Sequence, residues 1–451
     1  MTTPTFPLTL FILLASVSQM QAFVPIWKKN GSMAAPFCNT RPASFALSNN
    51  RASRTLLVTT SSKNDNEGQD TLGDLSEERK STLFQFILRD LQVEGVPLLA
   101  VDADQVHTMQ AALWTTMAEL AEQDDAQKAC LIFEDIPMNA LRTFVVDFCT
   151  LQSQDRLMGA LPDLERYRIS LLGKGVGPAI LVETTPAVVS DETTPTAAGP
   201  VEIVRVNEST AAMKMFIDRV VVEQNVCPYA FNNQMAPTGL EDAGFPAAPI
   251  GYRVCTETEV CHVLSAFWNS VCEILVTPAD QLSTTVLSMP AVRTHARFAA
   301  VSEMLSRSLC LFRGDSVLEL LHFHPAYDRD NVHPIDIPAH GHLPPTQWLR
   351  PMLKYNGNTE AANRLSDQDL VAGSNYQRRS PVTAVCIKRV EMLQAGTDAA
   401  NGIVDIVLED QSTVQASGVP TYARNALGLA EQGAGALQEA LDREIAIATS
   451  A

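Results

Sequence analysis

Apolar residues recur at helical spacing in two stretches of the chain, each broken by short runs that read as strands. In the first stretch Phe84, Phe86, Ile87 and Leu91 mark a helix, and Val96 to Val101 reads as a strand. Met109, Leu113, Met117 and Leu120 fall on one face of a helix predicted from Gln105 to Ala121. Cys130 to Phe133 is strand-like. Leu141, Phe144, Val145 and Phe148 give Ala140 to Leu151 a helical face. Tyr167 to Leu172 and Ala179 to Val182 are further strands about the turn Gly173-Lys174-Gly175-Val176-Gly177-Pro178. That turn lacks the spacing and the Lys-Ser/Thr pair of a phosphate loop. Its glycines suit a tight strand connection, with anion binding as the alternative.

The second stretch repeats the alternation. Met213, Phe216, Ile217 and Val220 mark a helix face. Ile250 to Cys255 forms a strand, Val260 to Ile274 a helix, Thr284 to Ser288 a strand, His295 to Leu309 a helix and Val317 to Phe323 a strand. Pro381 to Leu393 is expected to open a last helix, with Pro381 in its first turn, where the missing N–H costs nothing. A tail strand, Ile403 to Leu408, and a tail helix, Ala436 to Ile447, follow. Helices between short strands imply an α+β or α/β layered sandwich. Cys130-Leu131-Ile132-Phe133-Glu134-Asp135-Ile136-Pro137 and Thr285-Val286-Leu287-Ser288-Met289-Pro290 occupy matching places in the two stretches, which suggests two related α/β units.

The expected organisation is an acidic linker at 65–80, an N-terminal α/β domain at 81–185 and a linker at 186–208, rich in Thr, Pro, Ala and Val. A second domain spans 209–396, and a C-terminal extension spans 397–451. The extension either packs on the body or mediates self-association.

Composition bears on residues 1–64. The run Leu8 to Val17 is too short to span a bilayer and reads as the core of a signal peptide ending near residue 22. Lys28, Lys29, Arg41, Arg51, Arg54 and Lys63 all precede the first acidic residue, Asp65. Phe23-Val24-Pro25 followed by a basic, hydroxyl-rich segment at 23–64 resembles the bipartite presequence of algae with secondary plastids. That resemblance implies delivery to the plastid stroma, with secretion or an endomembrane lumen as the alternative. Loss of these positive charges makes the remainder more acidic than the −18 of the whole chain. Such a surface excludes a nonspecific nucleic-acid binder, because phosphate contacts need Lys and Arg. No later apolar run suits stable membrane insertion. Eight cysteines follow residue 64 without a CxxC pair, and read as mostly reduced core residues.

Three polar islands carry the candidate chemistry. In Asn225-Val226-Cys227-Pro228-Tyr229 the thiol is a potential nucleophile or ligand, capping either a new turn or the end of the preceding helix. In His322-Phe323-His324-Pro325, strand alternation puts both imidazoles on one face. There they can hold a divalent metal with Cys227 or Asp328, act as acid or base, or simply bond at a strand end. In Asn375-Tyr376-Gln377-Arg378-Arg379-Ser380-Pro381, Arg379 can clamp an anion through a bidentate fork. Ser380 resembles an N-cap for the following helix.

These islands, together with Gly251-Tyr252-Arg253-Val254 and Ser283-Thr284-Thr285-Val286-Leu287, resemble in wording and order the DUF1415 family of bacterial proteins of unknown function. The likeness covers roughly residues 211–394. Tyr229 stands where that family usually shows Phe. Residues 328–374, with His333, His340 and His342, form a longer insertion that reads as a surface lid or an unstructured loop. The resemblance implies no catalytic residues. From the residues themselves, the leading expectation is an enzyme acting on a small anionic molecule, with Cys227, His324 and Arg379 converging in one cleft. Asn225, Tyr229, Asn375, Tyr376 and Ser380 would bind substrate, and His322, His324 and Cys227 are the candidate metal ligands. A non-catalytic metal, cofactor or small-molecule binder and a structural or assembly protein are the alternatives.

Overall fold

Two sheets with the same strand order, each faced by helices, organise the residues described by the computed structural model: 76–102, 105–123, 127–153, 161–185, 206–311, 314–328, 343–399 and 402–449. All lie within one unit, Arg51–Ala451. The presequence, most of both linkers and His333, His340 and His342 fall outside the described residues.

Ser76 accepts from Arg79 N and caps α1 (Glu77–Val93). Then come β1 (Leu98–Ala100), α2 (Val106–Ala121), β2 (Lys128–Ile132), α3 (Met138–Gln152), β3 (Tyr167–Leu171) and β4 (Ala179–Thr184). The sheet runs β1-β2-β4-β3, with β1 and β2 parallel and β4 antiparallel to both neighbours. The glycine-rich segment is the β3–β4 turn. Gly173, Lys174 and Gly175 all take positive φ, and a side chain at Gly177 would collide with the Phe84 ring of α1.

The second unit repeats the plan. It consists of α4 (Val206–Phe216, continued by a π-helical turn Ile217–Glu223), a short edge strand β5 (Met235–Ala236), β6 (Ala248–Val254), α5 (Val260–Val276), β7 (Thr284–Ser288), α6 (His295–Leu311), β8 (Leu318–Phe323) and β9 (Ala384–Arg389). Its order is β5-β6-β7-β9-β8, with β6 and β7 parallel and β9 antiparallel to its neighbours. Register matches as well as order. Leu98 pairs with Cys130 as Tyr252 pairs with Val286, and Ser170 pairs with Leu181 as Leu321 pairs with Cys386. Ala112-Leu113-Trp114-Thr115-Thr116 in α2 stands where Ala266-Phe267-Trp268-Asn269-Ser270 stands in α5.

These two equivalent helices pack on each other. Asn269 Nδ2 donates to Thr115 Oγ1 at 3.2 Å, a meeting of equivalent positions, and Thr115 Oγ1 lies 2.9 Å from Ser265 Oγ. One apolar core joins the units: Trp114, Phe144 and Tyr167 belong with Phe267, Trp268 and Leu305.

The segment from Pro381 is not a helix. Val382 to Ile387 is fully buried, and β9 is an interior strand between β7 and β8. Its β-branched residues pack better on a two-sided sheet than in a helix. Helix α10 (Val390–Ala399) begins only after it. The described part of the insertion is not a loose lid. It forms α7 (Leu349–Tyr355), α8 (Thr359–Arg364) and α9 (Asp367–Tyr376), and Leu349, Met352, Leu353 and Leu370 are buried. They pack with the hairpin β10 (Ile403–Val407)–β11 (Thr413–Ser417) and with α11 (Val419–Gln432). Helix α12 (Ala434–Thr449) lies on α4, where Glu444 takes a bidentate pair from Arg219 at 2.7 and 2.8 Å. The C-terminal extension therefore packs on the body.

Candidate functional site

Cys227 sits on a short connection fixed from several sides. As α4 leaves its π-helical turn, Asn225 takes φ +53°, a left-handed conformation that Asn tolerates. Cys227 N donates to Val221 O, and Ala230 N donates to Cys227 O. The latter bond closes a turn with Pro228 in its favoured second position. Cys227 thus neither starts a helix nor ends one. From α11, Arg424 Nη2 donates to Asn225 O and Asn425 Nδ2 to Val226 O, each at 2.7 Å. Tyr229 OH donates to Gly396 O at 2.6 Å, its ring lying where a Cβ on that glycine would crowd it.

The thiol faces the side of the second sheet that α4 covers. On β8 and β9 this side carries Glu319 opposite Lys388, Leu321 opposite Cys386, and Phe323 opposite Ala384. Phe323 meets Phe216 edge-on at 6.2 Å, and the Arg378 guanidinium lies 5.2 Å from the Phe323 ring centre. Cys227 interacts electrostatically with Lys388, Arg424, Tyr422, Tyr229 and Cys386. Arg378 acts on Lys388, Tyr422 and Cys386 in turn. Burial opposes the Lys388 charge, yet Cys227 and Cys386 outweigh it and hold the ammonium above its ordinary value. Burial pushes the Tyr422 phenol up.

Arg378 is the distinctive member. It is 3 % exposed, its guanidinium lies against the Phe323 ring, and none of its nitrogens is among the fully buried side-chain atoms without a partner. Cys227 acts on both Lys388 and Arg424, and Arg378 acts on Lys388; cations of this kind are suited to pair with an anion.

The expected residues are placed differently. His322 and His324 do share a face of β8, but it is the α6 face, with the sheet between them and Cys227. His322 Nε2 lies 3.1 Å from Ser306 Oγ. His324 Nδ1 accepts from Ala326 N at 3.1 Å, which leaves Nε2 to donate to Arg293 O at 3.1 Å. Its ring stacks on Phe298 at 4.8 Å. Burial pushes His324 down to about 4 and His322 to about 3, so both are neutral at ordinary pH. The expected Cys227–His324–Arg379 cleft and the His322, His324 and Cys227 ligand set are not assembled.

Arg379 donates Nε to Tyr327 O at 2.9 Å and Nη1 to Gln438 Oε1 at 3.3 Å, tying its segment to α12. Ser380 Oγ donates to Val382 O at 2.5 Å and caps no helix, because β9 follows it. Asn375 Nδ2 donates to Asp328 Oδ1, and Tyr376 OH donates to Leu437 O. Asn225 takes part through its backbone. The residues missed from sequence are Arg378, Lys388, Arg424 and Tyr422. Lys388 closes an apolar run without alternation, which hid the strand and the cation's place on it. Arg378 was masked by its neighbour Arg379.

A second cluster lies at the start of α5. Glu259, Cys261 and His262 place donor atoms within 4.8 Å of one another, a set that could coordinate a divalent metal. Glu259 and Cys261 already have partners. Arg166 Nη1 donates to Glu259 Oε1 at 2.7 Å, and Tyr167 OH lies 2.8 Å from Glu259 Oε2 and 3.1 Å from Cys261 Sγ. Asp163 Oδ2 accepts from Val260 N at 2.5 Å and pairs with Arg297. Burial pushes the Cys261 thiol up to about 12. With Glu259 balanced by Arg166 and the thiol reluctant to ionise, this network serves chiefly to join β3 to α5.

Residues 208–348 match the family model described as "Protein of unknown function (DUF1415)". No curated protein and no solved structure matches the chain. The matched segment holds Cys227, Glu319 and Phe323, whereas Arg378, Lys388, Tyr422 and Arg424 come after it. Among the described residues no helix is long and apolar enough to cross a membrane.

Proposed function

We propose that the chain binds a small anionic molecule at Arg378, Lys388 and Arg424, with the Cys227 thiol facing it. The observation that carries this reading is the Arg378 guanidinium, held against the Phe323 ring in a residue only 3 % exposed and paired with no carboxylate among the described residues. An anion there would supply the missing partner in a low-dielectric setting, where charge-assisted bonds are strong. Cys227 would then be a thiol in contact with the bound ligand. Neither His322 nor His324 faces it to serve as base. A panel of small carboxylates and phosphates tested by thermal shift would find stabilising ligands for the native chain and none for Arg378→Gln. Stabilisation that survives this substitution would move the site elsewhere.

The second reading is a divalent-metal binder built on Glu259, Cys261 and His262, favoured by their close donor atoms. Plastid delivery through residues 1–64 is a separate proposal, tested by a fluorescent fusion of that segment.

A further inference from the structure

We propose that a groove between the turn before β6 and α10 is a docking site for a basic, extended peptide segment of a partner protein. The proposal is independent of the anion reading. The groove holds about 570 Å³. One wall is the turn at 239–243, where Glu241 Oε1 accepts from Gly239 N at 3.1 Å. The other is the face of α10 that carries Glu391, Ala395 and Asp398, spaced i, i+4 and i+7. One residue ties the two walls together. Tyr229 O accepts from Thr238 N at 2.8 Å beside the turn, and Tyr229 OH donates to Gly396 O at 2.6 Å within α10. The groove therefore adjoins the connection that carries Cys227.

The fold does not require the first wall. In the N-terminal unit Val96 and Pro97 alone lead from the left-handed Gly95 to β1. At the corresponding place, after the left-handed Asn225, the second unit inserts the excursion 226–247 before β6.

Charge and shape select the occupant. Leu240, Ala243, Ala395 and Ala399 give the groove an apolar lining, and its charged residues are Asp242, Glu391 and Asp398, with no Lys or Arg. All three carboxylates are exposed, and none makes a salt bridge among the described residues. Lys and Arg side chains match both features, since their aliphatic stems lie on apolar surface while their heads reach the carboxylates. Glu391 and Asp398 stand about 10 Å apart along the helix axis. Two basic residues of one extended chain can bridge that spacing, whereas one cationic head cannot. Small-molecule sites enclose most of their ligand. This groove is open at its acidic rim, which leaves room for a chain to pass across it.

The test is fluorescence anisotropy on the full chain with a labelled peptide of alternating Ala and Arg, and an Ala/Glu peptide as control. Physiological ionic strength screens diffuse attraction to an acidic surface. The Ala/Arg peptide should bind the native chain, and the Ala/Glu peptide should not. Asp242→Asn/Asp398→Asn should weaken binding about tenfold or more. Ala395→Trp, which fills the groove and keeps every charge, should do the same. Glu77→Gln/Glu78→Gln removes exposed acids of α1 and should leave binding unchanged. Circular dichroism checks folding, and if Ala395→Trp does not fold, the contrast between the two charge variants decides. No binding, binding that survives Ala395→Trp, or an equal loss in both charge variants would overturn the proposal. Spermidine binding as tightly as the peptide would assign the groove to a free polyamine. A native dimer dissociated by Ala395→Trp would assign it to a second copy of the chain. Either result would also overturn the proposal.

Discussion

Asn425 Nδ2 donates to Val226 O at 2.7 Å, so a helix of the C-terminal extension holds the residue immediately before Cys227. The same amide donates to Gln377 Oε1 at 3.0 Å, next to Arg378. One buried side chain therefore sets the spacing between the thiol segment and the buried guanidinium. The matched family segment, residues 208–348, does not contain it.

Replacing Asn425 with Leu leaves Val226 O and Gln377 Oε1 without this donor. Loss of a buried hydrogen-bond partner costs roughly 1–3 kcal/mol. The expected outcome is a lower denaturant midpoint together with faster modification of Cys227 by a thiol reagent. Unchanged modification kinetics in a destabilised variant would show that Asn425 stabilises α11 without positioning the thiol.

Acid stability should reflect His322 and His324. Each binds its proton more weakly folded than unfolded, falling from about 6.5 to about 3 and about 4. Stability is then complete above the unfolded value and is lost as pH falls from about 6.5 toward 4, because the unfolded chain takes up protons first. For His324 the full effect is on the order of 3 kcal/mol. Protonation would also remove the lone pair that accepts from Ala326 N. Denaturant titrations between pH 7 and 4.5 should show this decline, and His324→Gln should flatten it. A native chain whose stability stays flat from pH 7 to 4.5 would assign acid sensitivity to carboxylates instead.

The paired units share a core, and this sets the expected cooperativity. Trp114 and Trp268 occupy equivalent places and are both almost fully buried in one cluster. Truncating either to Ala should cost about 3–5 kcal/mol. Calorimetry should show a single transition displaced as a whole by Trp114→Ala. Two separate transitions, with only the first displaced, would mean that the units unfold independently.

Most of the helices and the strands of both sheets were legible because their apolar residues follow one period at a time. Met109, Leu113 and Met117 line up only on a helix, and the run Val317 to Phe323 is bounded by Ser316 and His324. Residues 384–389 were not legible. A strand buried on both faces has no alternation, and Pro381 nearby imitates a helix start. That one misreading displaced the site. With β9 taken as a helix, Lys388 had no reason to stand opposite Glu319, and Ser380 looked like a cap. The His pair was correctly given a common face, but sequence does not say which helix covers that face. Arg379 and Arg378 are adjacent and chemically alike. Only tertiary packing decides that the first binds Tyr327 O while the second lies against the Phe323 ring.

Metal content separates the remaining alternative. Cys227 lies across the sheet from His322 and His324, whose ring nitrogens include bonds to Ser306, Arg293 and Ala326. Glu259, Cys261 and His262 are the group among the described residues with converging donor atoms. A metal there must displace Tyr167 OH from Glu259 and Cys261 and compete with the Arg166 pair. It must also deprotonate a thiol pushed up to about 12, so uptake releases a proton and weakens as pH falls. Elemental analysis after incubation with zinc and desalting is expected to give the same value for the native chain and for Cys227→Ser/His324→Ala. Any bound zinc should disappear in Cys261→Ser and decline toward acid pH. Zinc lost in the Cys227→Ser/His324→Ala variant but kept in Cys261→Ser would place the metal where the geometry provides no common site.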